Sequence, residues 1–204
     1  MDAESQSLNL AVFPLETILF PTTSVPLYIF EPRYLKMVRD SLESGRMIAL
    51  SFGDPTLPGA GDSCISGYGL PELLEERPDG TLMILLKGKG KAKLGRVIST
   101  DPYTVCEART VVEVTELHER NRFRYNRYRN ILVKWLESKI GDSRYRKSLI
   151  TSIDTPVSTI EFLIAHLVRD PDSRQYLLES DDLNEKLSIL QTLSLREADE
   201  EHAS

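Results

Sequence analysis

The hydrophobic repeat of this chain changes near His118. Before that point apolar residues recur at every second position in short runs, as over residues 25–29, and proline or glycine bounds the runs. After it they recur at intervals of three and four, as over residues 183–193. A repeat of two is typical of strands and a repeat of 3.6 of helices. We therefore predict an α+β chain, with a β-rich subdomain over residues 8–117 and an α-helical subdomain over 118–198.

The first strands of the β-rich part are restricted by prolines. Pro14 follows a short apolar run, and Pro21 and Pro26 flank or interrupt the next one. Because proline has no N–H to donate to a strand partner, these residues belong at strand ends, at bulges or on the edge of a sheet. At least one edge of the sheet is therefore expected to be irregular and uncovered.

A helix with clear start and stop signals follows these strands. Pro32 suits the first helical position, where its missing N–H has no intrahelical partner to lose. Gly45 suits the position after the last turn, where a left-handed residue ends many helices. The spacing predicts a helix over residues 32–44, and Val38 and Leu42 are expected to pack against the sheet.

Several further strands are predicted before residue 115. The turn at Pro78-Asp79-Gly80 joins two of them into a hairpin. The segment Lys87–Lys93, KGKGKAK, lacks the spacing of a phosphate-binding loop and is interpreted as a charged turn between strands. The predicted strands cover residues 47–52, 65–74, 81–86, 92–98 and 103–114.

Three ordered blocks in the first 34 residues resemble a known family. They are Phe13-Pro14-Leu15, Leu19-Phe20-Pro21 and the run from Pro26 to Tyr34, PLYIFEPRY. A Gly-Tyr-Gly strand, a Pro-Asp-Gly turn and a Leu-x-Lys-Gly strand end follow in order. Together they resemble the amino-terminal domain of the Lon proteases, and the resemblance covers roughly residues 8–198.

The resemblance implies both a fold and a role. The fold is a PUA-like twisted β-sheet or pseudo-barrel with one helix, followed by an α-helical bundle. The role is to engage polypeptide substrates without cutting them. Complete family members continue into ATPase and serine–lysine peptidase modules, whereas this sequence has neither a phosphate-binding loop nor a protease segment. We therefore expect a stand-alone, non-catalytic module, not an enzyme, that binds unfolded polypeptide or a protein partner such as a separate ATPase or protease.

Composition excludes several other classes of protein. Two cysteines, Cys64 and Cys106, are too few for a disulfide framework, and three scattered histidines do not form a metal-site spacing. We expect no metal and no cofactor. A net charge of −6 argues against a general nucleic-acid binder. The sequence has no secretory signal and no apolar run near twenty residues, so we expect a cytoplasmic protein with no membrane partner.

Candidate binding residues cluster around the second strand. Phe20, Tyr28 and Phe30 are large aromatic residues beside the expected sheet edge, where an extended peptide can add as a further strand. The other interpretation, favoured for each residue taken singly, is that its ring is buried in the core. Glu31 and Arg33 adjoin the junction between strand and helix. They either face the same groove or simply stabilise the junction, Glu31 at the positive end of the helix and Arg33 through its planar guanidinium.

A second candidate surface lies in the segment 119–129, ERNRFRYNRYR. Arginine interleaved with aromatic residues is the composition that holds phosphate and stacks on bases, so an RNA-binding PUA-like module is the alternative function. The other interpretation is that Tyr125 and Tyr128 pack inward while the arginines form a solvated helix face. The RNA-binding alternative would use Arg120, Arg122, Arg124, Arg127 and Arg129.

Overall fold

The computed structural model describes residues 5–56 and 65–202, with side chains as far as residue 193 in the last helix. The chain divides into two compact units, residues 1–112 and residues 113–204. The first unit is mainly a β-sheet with one helix, and the second is helical. The limits 8–117 and 118–198 stay a prediction about which segments fold independently.

Six strands of the first unit form one sheet. The sheet order is β2-β5-β4-β3-β1-β6, and β5 also pairs with β6. The additional pairing closes β1, β3, β4, β5 and β6 into a ring and leaves β2 outside it as an edge strand. The predicted α+β class is confirmed, and the ring of strands corresponds to the pseudo-barrel, one of the two forms that the resemblance implies. The strands are β1 (Ser7–Pro14), β2 (Ser24–Ile29), β3 (Ile48–Ser51), β4 (Ile65–Glu76), β5 (Leu82–Ser99) and β6 (Val105–Thr110).

Strand β5 corrects one prediction, because the segment Lys87–Lys93 is no turn. It lies inside a single strand of 18 residues that pairs with β4 along much of its length. The glycines in the segment mark close approach of a neighbour: a Cβ on Gly90 would lie 2.6 Å from the hydroxyl oxygen of Tyr68. Lys91 is buried rather than exposed. Glycine in a strand interior often has this meaning.

The crossing between β1 and β2 lies directly on two strands. A Cβ on Gly67 of β4 would lie 1.7 Å from the carbonyl oxygen of Leu19, and a Cβ on Gly88 of β5 would lie 2.3 Å from that of Phe20. Both distances are far below a van der Waals contact. Only glycine therefore lets the Leu19-Phe20-Pro21 block rest on the Gly-Tyr-Gly and Leu-x-Lys-Gly blocks.

The first helix, α1 (Pro32–Ser44), has the predicted bounds, with Gly45 in the left-handed conformation at φ 70°. The prediction of its buried face is wrong at one residue. Val38 is fully buried, but Leu42 is 40% exposed. The buried stripe instead ends at Ser41, whose hydroxyl donates to the carbonyl oxygen of Arg46. The hydroxyl has a backbone partner there, so a polar residue can occupy a buried position that the apolar pattern assigns to leucine.

Five α-helices follow in the second unit. The short helix α5 is not among the sequence predictions, because a proline after an apolar stripe usually indicates the end of a helix. Pro171 in fact occupies the first turn of α5, and the carboxylate of Asp170 caps that helix by accepting from the Ser173 N–H at 2.9 Å. The helices are α2 (Arg122–Lys139), α3 (Ser143–Ser152), α4 (Pro156–Leu167), α5 (Pro171–Glu179) and α6 (Leu183–His202), with a 3-10 turn at Glu119–Asn121 before α2.

Charged side chains lie in the interior of this helical unit. The Lys186 ammonium of α6 lies 2.6 Å from a carboxylate oxygen of Glu113 and 3.3 Å from one of Glu161. Lys186 and Glu161 are fully buried. A buried charge needs partners to offset its lost hydration, so these contacts tie α6 to α4 and to the start of the unit.

The Asn184 side chain of α6 forms a second set of buried polar contacts in this unit. The side-chain oxygen of Asn184 accepts from the backbone N–H of His118 at 2.9 Å and from the Asn121 amide at 3.0 Å. Its own amide donates to the carbonyl oxygen of Glu116 at 2.9 Å. The segment that leads into α2 is therefore held by one asparagine of α6.

Within residues 5–56 and 65–202, none of the helices combines the length and the apolar character needed to cross a bilayer.

Candidate functional site

Strand β2 presents one free edge. In the described part of the chain it pairs only with β5, in an antiparallel register that matches Tyr28 with Met83. The carbonyl oxygen of Thr23 accepts from the Gly88 N–H at 2.9 Å. Backbone groups of an antiparallel strand face alternate sides, so the groups of Ser24, Pro26 and Tyr28 face away from β5. Pro26 therefore removes no hydrogen bond from the existing ladder.

Two aromatic side chains flank this edge. Tyr28 is 44% exposed and Phe30 is 60% exposed, and their ring centroids lie 6.0 Å apart. The neighbouring Ile29 is buried in the core of the sheet. Because side chains alternate along a strand, the burial of Ile29 places Tyr28 on the outer face. The result is an exposed pair of large rings beside unpaired backbone groups.

The hairpin between β4 and β5 holds the Tyr28 ring in place. The Tyr28 hydroxyl donates to the hydroxyl oxygen of Thr81 at 3.0 Å, and the Arg77 guanidinium lies 5.0 Å from the centroid of the Tyr28 ring. Thr81 in turn donates to the Asp79 carboxylate at 2.6 Å. The side-chain hydrogen bond from Thr81, helped by its backbone N–H, holds the pKa of Asp79 below its ordinary value. The same two hydrogen bonds connect Asp79 to Thr81 across the turn.

Sequence reasoning missed the contribution of this hairpin. Arg77, Thr81 and Met83 lie about fifty residues from Tyr28 and reach it only because β2 pairs with β5. Leu73 and Leu74, at 42% and 52% exposed, add apolar surface on strand β4. Pairing register is a tertiary property, so no local pattern announces these neighbours.

Glu31 and Arg33 contact each other at the start of α1. The Arg33 Nε donates to a Glu31 carboxylate oxygen at 3.1 Å, and both side chains are largely exposed. The guanidinium also lies 4.5 Å from the ring centroid of Tyr34, which packs against Phe13. Burial raises the pKa of Tyr34, with Arg33 acting in the opposite direction. The contact joins the residue before α1 to the first turn of the helix, and a role of the pair in binding stays a prediction.

Phe20 is not part of the exposed aromatic surface formed by Tyr28 and Phe30. Its side chain is fully buried and is among the largest in the core. Its side chain therefore does not line an exposed groove, and the other interpretation, burial in the core, applies to this residue. Its carbonyl oxygen lies close to Gly88, so the crossing segment packs directly on β5.

The arginine segment forms a helix surface with most of its aromatic residues buried. Tyr125 and Tyr128 are buried, as one of the two interpretations expected. Three of the five arginines have partners within the chain: Arg122 pairs with Glu119 at 2.8 Å, Arg124 lies 3.3 Å from the side-chain oxygens of Asn121 and Ser188, and Arg129 donates to the Tyr125 hydroxyl at 3.3 Å. Neither tyrosine is available to stack on a base.

No group in the described residues is arranged for metal binding. Clusters of three or more histidine, cysteine or acidic residues that could hold an ion do not occur in that part of the chain. Cys106 is buried in the sheet, and Cys64 lies outside the described residues. What the edge of β2 offers is apolar and aromatic area next to backbone donors and acceptors.

Comparison with known proteins identifies relatives of the whole chain. It is 22% identical over 209 residues to the Lon protease of Escherichia coli K12 and 21% identical over 198 residues to Lon protease 1 of Thermus thermophilus. These alignments cover 96% and 93% of this chain but 26% and 25% of the relatives. The chain thus spans about a quarter of the length of the curated relatives it matches.

Solved structures share the fold. A Lon N-terminal domain protein from Xanthomonas campestris superposes with a TM-score of 0.66 at 21% identity, covering 90% of this chain and 97% of that one. The N-terminal domain of the Mycobacterium avium complex Lon protease gives a TM-score of 0.61 at 16% identity, covering 89% and 95%.

The family itself is assigned by a match over nearly the whole chain. The sequence model for the substrate-binding domain of ATP-dependent protease La (LON) matches residues 9–194. The match includes the strand edge, the hairpin and the helical unit. The chain therefore belongs to the LON substrate-binding domain family.

Proposed function

We propose that this protein binds extended polypeptide segments along the free edge of strand β2. The observation that carries the proposal is the outward-facing backbone of Ser24, Pro26 and Tyr28 beside the exposed rings of Tyr28 and Phe30. An added strand gains affinity from main-chain hydrogen bonds and specificity from contacts with alternate side chains. The family assignment and the relatives named Lon protease support a polypeptide ligand.

The arrangement favours unfolded segments that contain aromatic or large apolar residues. Folded proteins keep most backbone groups paired, so only an extended segment can offer donors and acceptors to Ser24 and Tyr28. The two rings and the hairpin residue Met83 offer apolar contact on one face. Because this contact is largely uncharged, we expect binding to persist at moderate salt.

The binding experiment uses fluorescence anisotropy with a labelled, unfolded aromatic-rich peptide. Replacing Tyr28 and Phe30 together by serine is expected to weaken binding by about tenfold or more, since buried aromatic anchors dominate many interfaces. Tyr145→Ser removes an equally exposed ring, 62% exposed, from the helical unit and serves as the control. Unchanged affinity in the Tyr28/Phe30 variant contradicts the proposed site.

A second probe tests strand addition itself. The same peptide methylated on alternate backbone nitrogens keeps its side chains but loses donors along one edge. Strand addition predicts weaker binding for the methylation pattern that removes the donors facing β2, and little change for the opposite pattern. Equal binding of both peptides would exclude strand addition and would indicate that the peptide is bound through its side chains alone.

The role of this chain is proposed to be recognition without catalysis. The sequence contains no phosphate-binding loop and no nucleophile elbow. We propose that the protein acts in the cytoplasm, beside a separate ATPase or protease. Purified protein is expected neither to hydrolyse ATP nor to cleave casein. Turnover that a single substitution in this chain abolishes would refute this part.

A further inference from the structure

A second exposed surface lies on α2, in the helical unit. At 100° per residue, Phe123, Arg127, Asn130, Ile131 and Lys134 fall within about a quarter of the helix circumference, and Arg120 precedes them on the same side. All six side chains are exposed, and Phe123 is 85% exposed. We call these six residues the α2 stripe.

The cations of the α2 stripe have no partners among the described residues. Within that part of the chain no hydrogen bond or ion pair engages Arg120, Arg127 or Lys134, whereas Arg122 and Arg124 on neighbouring faces are paired. The stripe itself contains no acidic residue. Its positive charge is therefore uncompensated within the surface that would meet a ligand.

The charge of this region also contrasts with the rest of the chain. Residues 119–139, from the 3-10 turn to the end of α2, contain seven Lys and Arg against two Asp and Glu, a net charge of +5, in a chain whose net charge is −6. A local field of one sign on an otherwise acidic protein steers partners of the opposite sign toward that face.

From these observations we propose that the α2 stripe binds an acidic polypeptide segment that carries an apolar side chain. Phe123 and Ile131, both exposed apolar residues, serve as anchors, and Arg127 and Lys134 pair with carboxylates of the partner. Arg127 and Lys134 are seven residues apart, about 10 Å along the axis, which matches acidic residues one heptad apart on a partner helix. This surface and its ligand are separate from the peptide edge of β2.

A polypeptide fits the stripe better than a nucleic acid does. Single-stranded nucleic acid is held by several aromatic platforms in succession. Tyr125 and Tyr128 are buried, so Phe123 is the one aromatic residue of the stripe. Ile131 adds aliphatic surface, which a protein side chain can pack against and a base cannot stack on.

The test measures binding of a fluorescein-labelled peptide of about 20 residues, built from Glu, Asp, Leu and Phe with acids at heptad spacing. Replacing Arg127 and Lys134 by glutamate is expected to weaken its binding by about tenfold or more at low salt. The control exchanges Arg144 and Lys147 of α3, both exposed, for glutamate and so makes the same change in net charge. We expect less than about a twofold effect from this control.

Three further arms decide the interpretation. Phe123→Ser should weaken binding while Tyr145→Ser does not, and the peptide with Gln and Asn in place of its acids should bind the wild type and the Arg127/Lys134 variant equally. The Tyr28/Phe30 variant should bind the acidic peptide normally, so failure here is distinguishable from failure of the strand-edge proposal. Equal losses in the two charge-reversal variants, no effect of Phe123→Ser, or tighter binding of a single-stranded RNA of similar length would overturn the proposal. Circular dichroism checks that each variant is folded.

Discussion

The two units of this protein achieve a specific structure by different means. In the β-rich unit the decisive contacts are between backbones, at glycines such as Gly67 and Gly88, where no side chain fits. In the helical unit they are between buried polar side chains such as Lys186, Glu161 and Asn184. Both kinds of contact join residues that lie tens of positions apart, but the backbone contacts occur between short motifs that can be recognised in the sequence, whereas the buried polar side chains belong to no such motif.

This difference predicts which substitutions each unit tolerates. A strand unit fixed by close backbone approach should resist most side-chain changes but not the addition of a methyl group at the crossing. A helical unit fixed by paired charges should be most sensitive to the loss of one member of a pair, because the other is then left buried without compensation.

The largest effect is expected from Lys186→Met. The substitution keeps an unbranched apolar chain but leaves the Glu161 carboxylate buried without its cation, and breaking a buried pair typically costs about 3–5 kcal/mol. Urea denaturation followed by circular dichroism measures the free energy of unfolding. Lys36→Met breaks the exposed Lys36–Asp40 pair as the control and should cost less than about 1 kcal/mol. Equal free energies of unfolding for the two variants would contradict the view that the buried Lys186–Glu161 pair stabilises the helical unit.

The next effect tests the crossing in the β-rich unit. Gly67→Ala would place a Cβ 1.7 Å from the carbonyl oxygen of Leu19, so the backbone of the crossing must shift. We expect a loss of at least about 1–3 kcal/mol in the free energy of unfolding. Gly95→Ala, also in a strand, meets its nearest atom only at 3.4 Å and should be well tolerated. A similar loss in both variants would mean that glycine matters there for some reason other than close approach.

The smallest effect concerns a polar side-chain contact in the β-rich unit. The Tyr103 hydroxyl donates to a carboxylate oxygen of Asp40 at 2.8 Å and accepts from Arg46 at 3.1 Å. Tyr103→Phe should lower the free energy of unfolding by about 0.5–1.5 kcal/mol at neutral pH. Tyr145→Phe, which removes the hydroxyl of an exposed tyrosine, should leave stability unchanged.

The pH dependence of this variant has a definite sign. Hydrogen bonds from Lys36, and next from Tyr103, hold the pKa of Asp40 below its ordinary value of 3.8. A carboxylate with a lowered pKa contributes stability that is present above the ordinary value and is lost as the pH falls through the lowered one. The difference between wild type and Tyr103→Phe should therefore shrink at acidic pH, as denaturation at neutral and acidic pH can show. A difference that grows on acidification would contradict this assignment.

Part of the candidate site was visible in the sequence. Tyr28 and Phe30 stand in an alternating run with Pro26, so the pattern alone predicts an exposed strand edge with aromatic residues. Phe20 could not be assigned in this way. An aromatic residue in a proline-bounded crossing has no period to indicate its direction, and only the structure shows that its side chain lies in the core.

The sequence by itself determined the succession of a β-rich part and a helical part, the bounds of α1 and the family, because these depend on local periodicity, proline and glycine positions and short motifs. Only the tertiary structure decided that Lys87–Lys93 is strand, that Ser41 rather than Leu42 is buried, and that Lys186 meets Glu161. The strand and the ion pair depend on partners distant in sequence, and the Ser41 hydroxyl depends on a nearby backbone carbonyl that an apolar pattern does not indicate. A residue pattern shows which side chain stands at each position, whereas the burial of that side chain and its contacts are set by the rest of the fold.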